Sequence, residues 1–423
     1  MGHRVHPTGG APVDRWIAAL CMLSLWLAIA APVVAQGEVT PGSEHTYVFG
    51  QTATFVMRSP LAQEVSEEAD ALTERGIDQA TLYLRADASH TETYPAVLED
   101  DGATLTRDLQ AMPLPPFAFV TYWWVYERAG ESFETEKRTF QYTDNRYEWK
   151  TASQDSIRIH WVDGERDRMV QALDVAQDAL SRLQGALQSP SGAATDIYIY
   201  PSHPDLAAAM QLAGRSWAGA IAYPDLSVIL VAIPPTAEGL LTMDRDIPHE
   251  LTHKAVYDLL GEQGYASLPT WLNEGLAVHF EARPEPSYAV ALETAHESGS
   301  LIPLSELCAP FPEEPQLARL AYAESGSLVN YLRQHYGWSR IRELMQAYAD
   351  GMACNTGVQE ALGTDLTHLE RSWRVWLEGE QQSGATPETW AGMSMLVRDA
   401  GPWLLLLGLL LLPVLLLVVG GEG

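Results

Sequence analysis

The sequence predicts an α+β chain in which a small β-sandwich precedes a larger, mostly helical part. Two patterns support this. Between residues 38 and 145, short runs rich in Thr, Tyr, Val, Phe and Trp alternate apolar with polar side chains, as half-buried strands do. After Arg146, strands are interleaved with amphipathic helices, and from Asp246 onward the pattern is almost wholly helical, the order expected of an α+β domain.

The chain has 423 residues, enough for two domains plus membrane segments. Asp and Glu number 55 against 26 Lys and Arg, a formal charge of -29. That acidity argues against nucleic acid as a partner, since phosphate recognition needs basic side chains to displace counterions. It also argues against a basic patch on anionic lipid.

The N-terminus carries Arg4 and Arg15, an apolar stretch from Trp16 to Ala31, and then small residues ending at Ala35. This is the make-up of a secretory signal over 1–35; an uncleaved signal anchor is the alternative. At the other end, Trp403 to Val419 holds no charged side chain. An apolar stretch of about 20 residues is long enough to cross a bilayer as a helix. The expectation is a single-pass anchor over 401–421, a Ser-, Gly- and Thr-containing tether over 380–400, and a catalytic part on the extracytoplasmic side of the cell membrane. The sequence is silent on oligomeric state.

Within the β part, the expected strands are His45–Met57, Gln79–Asp87, Phe117–Glu127 and Glu134–Tyr142. They suit an immunoglobulin-like module over 38–145 that serves as spacer or docking surface. Then come a strand at Ser156–Val162, a helix at Glu165–Leu187 with apolar residues three and four apart, a strand at Asp196–Tyr200, a helix near Pro204–Ala213 and a strand at Ser227–Ile233. Beyond Cys21, only Cys308 and Cys354 remain. They form either one disulfide closing about 45 residues or two buried thiols, and the absence of a CxxC pair excludes a thiolate zinc site.

The chemistry sits in two segments. In the first, His249-Glu250-Leu-Thr-His253 puts two imidazoles four residues apart on one helical face, with a carboxylate beside them. Such a pair can hold one zinc ion while Glu250 takes a proton from water. Asp246 is expected to cap this helix and Pro248 to occupy its first turn. The metzincin pattern wants Gly and His where this chain has Val256 and Leu259, so that class fails. In the second segment, Leu268-Pro-Thr-Trp271-Leu-Asn273-Glu274-Gly-Leu-Ala277 opens another helix, and Glu274 lies 21 residues beyond His253. That spacing leaves room for the first helix to end, turn near Gly261–Gly264 and let the second run back toward it.

Together, His249-Glu250-x-x-His253 and Trp271-Leu-Asn-Glu274-Gly-Leu-Ala277 resemble the gluzincin zinc metallopeptidases, most closely the peptidase MA-like group. The resemblance covers roughly residues 150–380. It implies a thermolysin-like catalytic domain over 146–379, Zn2+ held by His249, His253 and Glu274, Glu250 as general base, and a polypeptide substrate. Tyr322 resembles a helix-borne Tyr that relatives keep as oxyanion donor, with Tyr331 and His279 as rivals. Lys254 is charged where such motifs usually are not, and is expected to face solvent. Aminopeptidases of this clan grip the substrate amine through the Glu of a G-A-M-E-N segment. The nearest match here, Gly219-Ala-Ile-Ala222-Tyr223, has Ala222 in that place, which favours an endopeptidase. The competing readings are a catalytically idle binding or adhesion protein with a structural or vestigial zinc site, and a zinc hydrolase of some other bond.

Overall fold

The computed structural model describes residues 42–58, 77–87, 89–99, 102–190, 194–210 and 219–382. The expected signal at 1–35, the anchor at 401–421 and all but the first three residues of the tether lie outside the described residues. Among the described residues no helix is long and apolar enough to cross a membrane.

The N-terminal part is a sandwich of two antiparallel sheets. One orders β1 (Gly42–Val48), β2 (Thr52–Arg58), β6 (Gly102–Asp108) and β5 (Val97–Glu99). The other orders β4 (Glu92–Pro95), β3 (Gln79–Ala86), β7 (Phe119–Arg128) and β8 (Glu131–Glu134), with β9 (Arg138–Gln141) also on β7. Alternation decides which side chains face inward: Phe55 and Met57 from β2, Leu82 and Leu84 from β3, and Tyr122 and Trp124 from β7 are all buried. The expected strand His45–Met57 is in fact the β1–β2 hairpin. It folds at Gly50, whose φ of 69° suits a residue without Cβ. The expected strand Glu134–Tyr142 is likewise two pieces. Regular pairing lapses over 135–137, where Thr135 holds Trp124 twice: its N–H donates to the Trp124 carbonyl at 2.9 Å and its hydroxyl accepts from the Trp124 N–H at 3.0 Å.

A five-stranded mixed sheet follows, ordered β10 (Lys150–Gln154), β11 (Ile157–Trp161), β12 (Thr195–Tyr200), β14 (Val228–Ala232) and β13 (Ala220–Tyr223). β11, β12 and β14 are parallel, and both edge strands are antiparallel. Ile159, Ile197, Ile199, Ile229 and Val231 point to one face, into the core with α1 (Arg166–Leu187) and α3 (Ala237–Ala266). Tyr198, Tyr200, Val228, Leu230 and Ala232 point to the other and share a core with the sandwich and α2 (His203–Met210). β14 is buried along its whole length, so its run Val-Ile-Leu-Val-Ala carries no alternation.

At the junction between the two parts a buried carboxylate adds polar contacts to the shared apolar core. Asp144 has no exposure; its carboxylate pairs with Arg146 at 2.6 Å and accepts from the Tyr200 hydroxyl at 3.0 Å. Its carbonyl accepts from the Trp149 indole at 2.7 Å. Arg146 is 26% exposed, so its loss would leave the Asp144 carboxylate buried without a charge partner, whereas loss of Asp144 would leave Arg146 in contact with solvent.

The helical half comprises α3, α4 (Thr270–Phe280), α5 (Pro286–Ser298), α6 (Leu304–Leu307), α7 (Pro315–His335), α8 (Gly337–Ala349), α9 (Cys354–Leu362) and α10 (Leu366–Gln382). α10 therefore extends into the first residues of the expected tether. α3 begins much earlier than its motif suggests. Thr236 is the N-cap and accepts from the Gly239 N–H, so Asp246 and Pro248 lie in the helix interior, not at its start. The expected break falls at Gly261, whose φ of 71° and ψ of 173° interrupt the helix for one residue before it resumes to Ala266. α4 and α7 touch backbone to backbone: a Cβ on Gly275 would lie 2.5 Å from the Ser325 carbonyl oxygen, and one on Gly326 2.5 Å from Val278 Cγ1. Cys308 and Cys354 are disulfide-bonded across 46 residues, which decides between the two expectations for this pair.

Candidate metal centre and active site

α3 and α4 bring three of the expected ligands together. His249, His253 and Glu274 offer one atom each within 4.8 Å of one another, and they are the one such group among the described residues. Glu274 Oε2 lies 3.4 Å from His249 Nε2 and 3.6 Å from His253 Nε2. That oxygen is buried with no hydrogen-bond partner. A buried carboxylate oxygen facing two imidazole nitrogens, otherwise unsatisfied, is what a divalent cation completes, and a His2Glu donor set suits zinc.

The other nitrogen of each ring is already engaged. His249 Nδ1 lies 2.9 Å from Glu281 Oε1, and His253 Nδ1 lies 3.2 Å from Asn273 Oδ1. With these oxygens as acceptors, each Nδ1 carries a proton and Nε2 is the nitrogen turned toward Glu274, the one that would give its lone pair to a cation bound there. Glu281 is absent from the site that sequence reasoning assembled. It lies seven residues after Glu274, two helical turns, and that spacing was the available signal. Asn273 was seen only as a letter of the motif.

Pro248 explains how Glu281 arrives. A proline inside a helix has no N–H for the carbonyl four residues back, which here belongs to Asp244. That carbonyl instead accepts from the Ala282 N–H at 2.9 Å and the Arg283 N–H at 3.4 Å. Arg283 Nε also pairs with the Asp244 carboxylate at 3.2 Å. The segment leaving α4 is thereby fastened to α3 one turn before His249.

The electrostatics follow from burial and pairing. Burial would raise the Glu274 carboxyl, but the two imidazoles outweigh it and hold it well below the usual carboxylate range. Burial would lower His249, yet Glu274 and Glu281 push it well above its ordinary value; His253 is raised the same way, mainly by Glu274. Glu250 is 7% exposed, and burial raises its pKa. A raised carboxyl is a better base once ionised, the condition for taking a proton from water near neutrality.

Of the three candidate oxyanion donors, Tyr322 on α7 is the one at the cluster, its ring 6.2 Å from that of His249. Burial, followed by the charge of Glu274, pushes its hydroxyl far up, so it remains a donor at any working pH. Tyr331 packs on His335, Tyr336 and Trp376. His279 Nδ1 lies 2.7 Å from Asn330 Oδ1, beside Trp338, and burial lowers its pKa to about 4. Lys254 corrects its expectation: its side chain is 5% exposed and pairs with Asp258. It faces a recess lined by Gln177, Ser181 and Thr195, because α3 is packed on that side too.

Residues 175–379 match the Peptidase MA superfamily. No curated protein sequence matches the chain. Among solved structures, an M1 zinc metallopeptidase from Deinococcus radiodurans is 13% identical, over 80% of this chain and 93% of that one, at a TM-score of 0.34. A two-domain M1 zinc metallopeptidase variant bound to L-tryptophan is 17% identical, over 59% of this chain and 58% of that one, at a TM-score of 0.31. A bromine derivative of BhCBM56 is 13% identical, over 24% of this chain and 91% of that one, at a TM-score of 0.18.

Proposed function

Because residues 175–379 belong to the Peptidase MA superfamily, we propose that the chain is a zinc metallopeptidase that hydrolyses polypeptides. The observation that carries this reading is the buried, unsatisfied Glu274 Oε2 facing the Nε2 atoms of His249 and His253. Those three residues would hold the metal. Zinc bound there supplies Lewis acidity, polarising the scissile carbonyl and making water easier to deprotonate. Glu250, buried one residue from His249, accepts the proton of the attacking water and passes it to the leaving amine. The Tyr322 hydroxyl donates to the oxygen that becomes negative as the carbonyl carbon turns tetrahedral. Glu281 and Asn273 keep both imidazoles in the tautomer that binds a cation.

Endopeptidase action is the finer reading. It is supported by Ala222 on the edge strand β13, which stands where the match to the aminopeptidase G-A-M-E-N segment would put the amine-gripping Glu. An extended substrate backbone can pair with such an edge. Membrane anchoring by 401–421 after export through 1–35, with the sandwich at 38–145 and the peptidase domain at 146–379 outside the cytoplasm, completes the reading. The Cys308–Cys354 disulfide supports export, since such bonds persist in oxidising compartments.

The test is metal content of the purified full chain beside Glu274→Ala, with hydrolysis of a quenched-fluorescence peptide library measured in parallel. One zinc per chain in the parent, lost or sharply weakened in the variant, with peptide cleavage in the parent alone, is the expected result. A zinc-free parent sinks the proposal.

A further inference from the structure

Between α5 and α7 the chain runs as a strap over residues 299–314, and it is fastened to three helices behind it. The Ile302 N–H donates to Glu324 Oε1 on α7 at 2.9 Å, and the Leu304 N–H donates to Glu370 Oε2 on α10 at 3.1 Å. Cys308 is bonded to Cys354 at the start of α9. Three residues past that cross-link, Phe311 sets its ring edge-on to Tyr322, centroids 5.2 Å apart. From α5, Tyr288 lies parallel to Tyr322 at 6.3 Å. All three rings are partly exposed.

Resting on the peptidase reading, we infer that Phe311, Tyr288 and Tyr322 form the wall of a subsite that takes an apolar or aromatic side chain of the substrate next to the bond cleaved. Two elements bring aromatic carbon onto the ring beside His249, and partly exposed aromatic surface gains by covering another apolar group. The carboxylates near Tyr288 are paired or buried: Asp246 and Glu285 both pair with Arg245, and Glu281, 1% exposed, lies against His249. Phe311 determines specificity, and the strap's anchors hold it in place.

The test uses the full chain and peptides that differ only in the residue beside the cleaved bond. Phe and Leu are expected to exceed Ala in kcat/KM by on the order of tenfold, the scale of discrimination available to a hydrophobic pocket, with Lys and Glu no better than Ala. Phe311→Ala should erase most of that ratio, while Phe311→Leu keeps most of it. An equilibrium readout needs no turnover: zinc-chelating hydroxamates bearing a benzyl or a methyl side chain are titrated into parent and Phe311→Ala, and into protein whose Cys308–Cys354 bond is reduced. Benzyl preference in the parent that falls in both altered forms, at unchanged zinc content, supports the subsite. Zinc bound with equal affinity for both hydroxamates, or a Lys preference among peptides, overturns the subsite and leaves the peptidase reading standing. A parent without zinc or hydroxamate binding overturns both.

Discussion

The carbonyl of Asp244 accepts the N–H of Ala282 at 2.9 Å, and it is available because Pro248 cannot use it. One proline inside the metal-binding helix thus fixes where the next helix ends, and so where Glu281 meets His249 Nδ1.

Glu281→Gln keeps the shape but replaces an anionic acceptor by an amide. Zinc affinity is expected to fall on the order of 10–100-fold, the usual cost of losing such an outer partner. Competition with a chelator of known affinity measures it. An unchanged zinc Kd would deny Glu281 any orienting role.

Glu250→Gln should retain stoichiometric zinc and lose peptide hydrolysis by at least 10²–10⁴-fold, the range for a general base. Tyr322→Phe should lower kcat by about 10²–10³-fold, as removal of one oxyanion donor does, with KM little changed. Steady-state kinetics beside metal analysis separates the two roles. If Tyr322→Phe leaves kcat intact, the donor lies elsewhere.

Glu324 is fully buried, has an unpartnered Oε2, and burial pushes its carboxyl up to about 8. Arg374 works to lower it and Glu370 to raise it. Its folded pKa lies above its unfolded one, so its contribution to stability is whole below about pH 4.5. That contribution is lost as pH rises toward 8. Glu324→Gln, which can still accept from Ile302, should therefore gain Tm over the parent at pH 8–9 and match it near pH 5. A parallel Tm–pH curve for the two proteins would show the carboxyl to be ionised throughout.

Replacing Cys308 and Cys354 by Ser opens a loop of 46 residues. The chain-entropy model puts the loss at about 4 kcal/mol. Denaturant unfolding of parent and variant measures it. A difference below about 1 kcal/mol would mean that residual structure already holds the ends of this loop together in the unfolded chain.

The zinc-site candidates were legible because their geometry is local. Four residues in a helix put His249 and His253 on one face whatever surrounds them, and the motif around Glu274 opens a helix at Pro269. What was not legible depends on partners distant in sequence. Lys254 reads as a surface residue until α3 is seen to be packed on the side of Gln177 and Thr195. Asp246 and Pro248 read as a helix start because their residue types suit one, yet Thr236 begins the helix thirteen residues before His249. The strand boundaries in the sandwich failed at Gly50 and Thr135, where the chain turns or regular pairing lapses without a break in β-forming composition. That the sheet's second face is shared with the sandwich was hidden in β12 and β14, whose tyrosines and valines do not reveal what covers them.

The contact of Gly275 with the Ser325 carbonyl acts as a hard stop between α4 and α7. Glu274 and Tyr322 lie one and three residues from that point, on opposite sides of it. Their separation is therefore gauged by two backbones in direct touch, without the slack of an interposed side chain. A side chain at Gly275 would push the two helices apart and so widen the gap between Glu274 and Tyr322 directly.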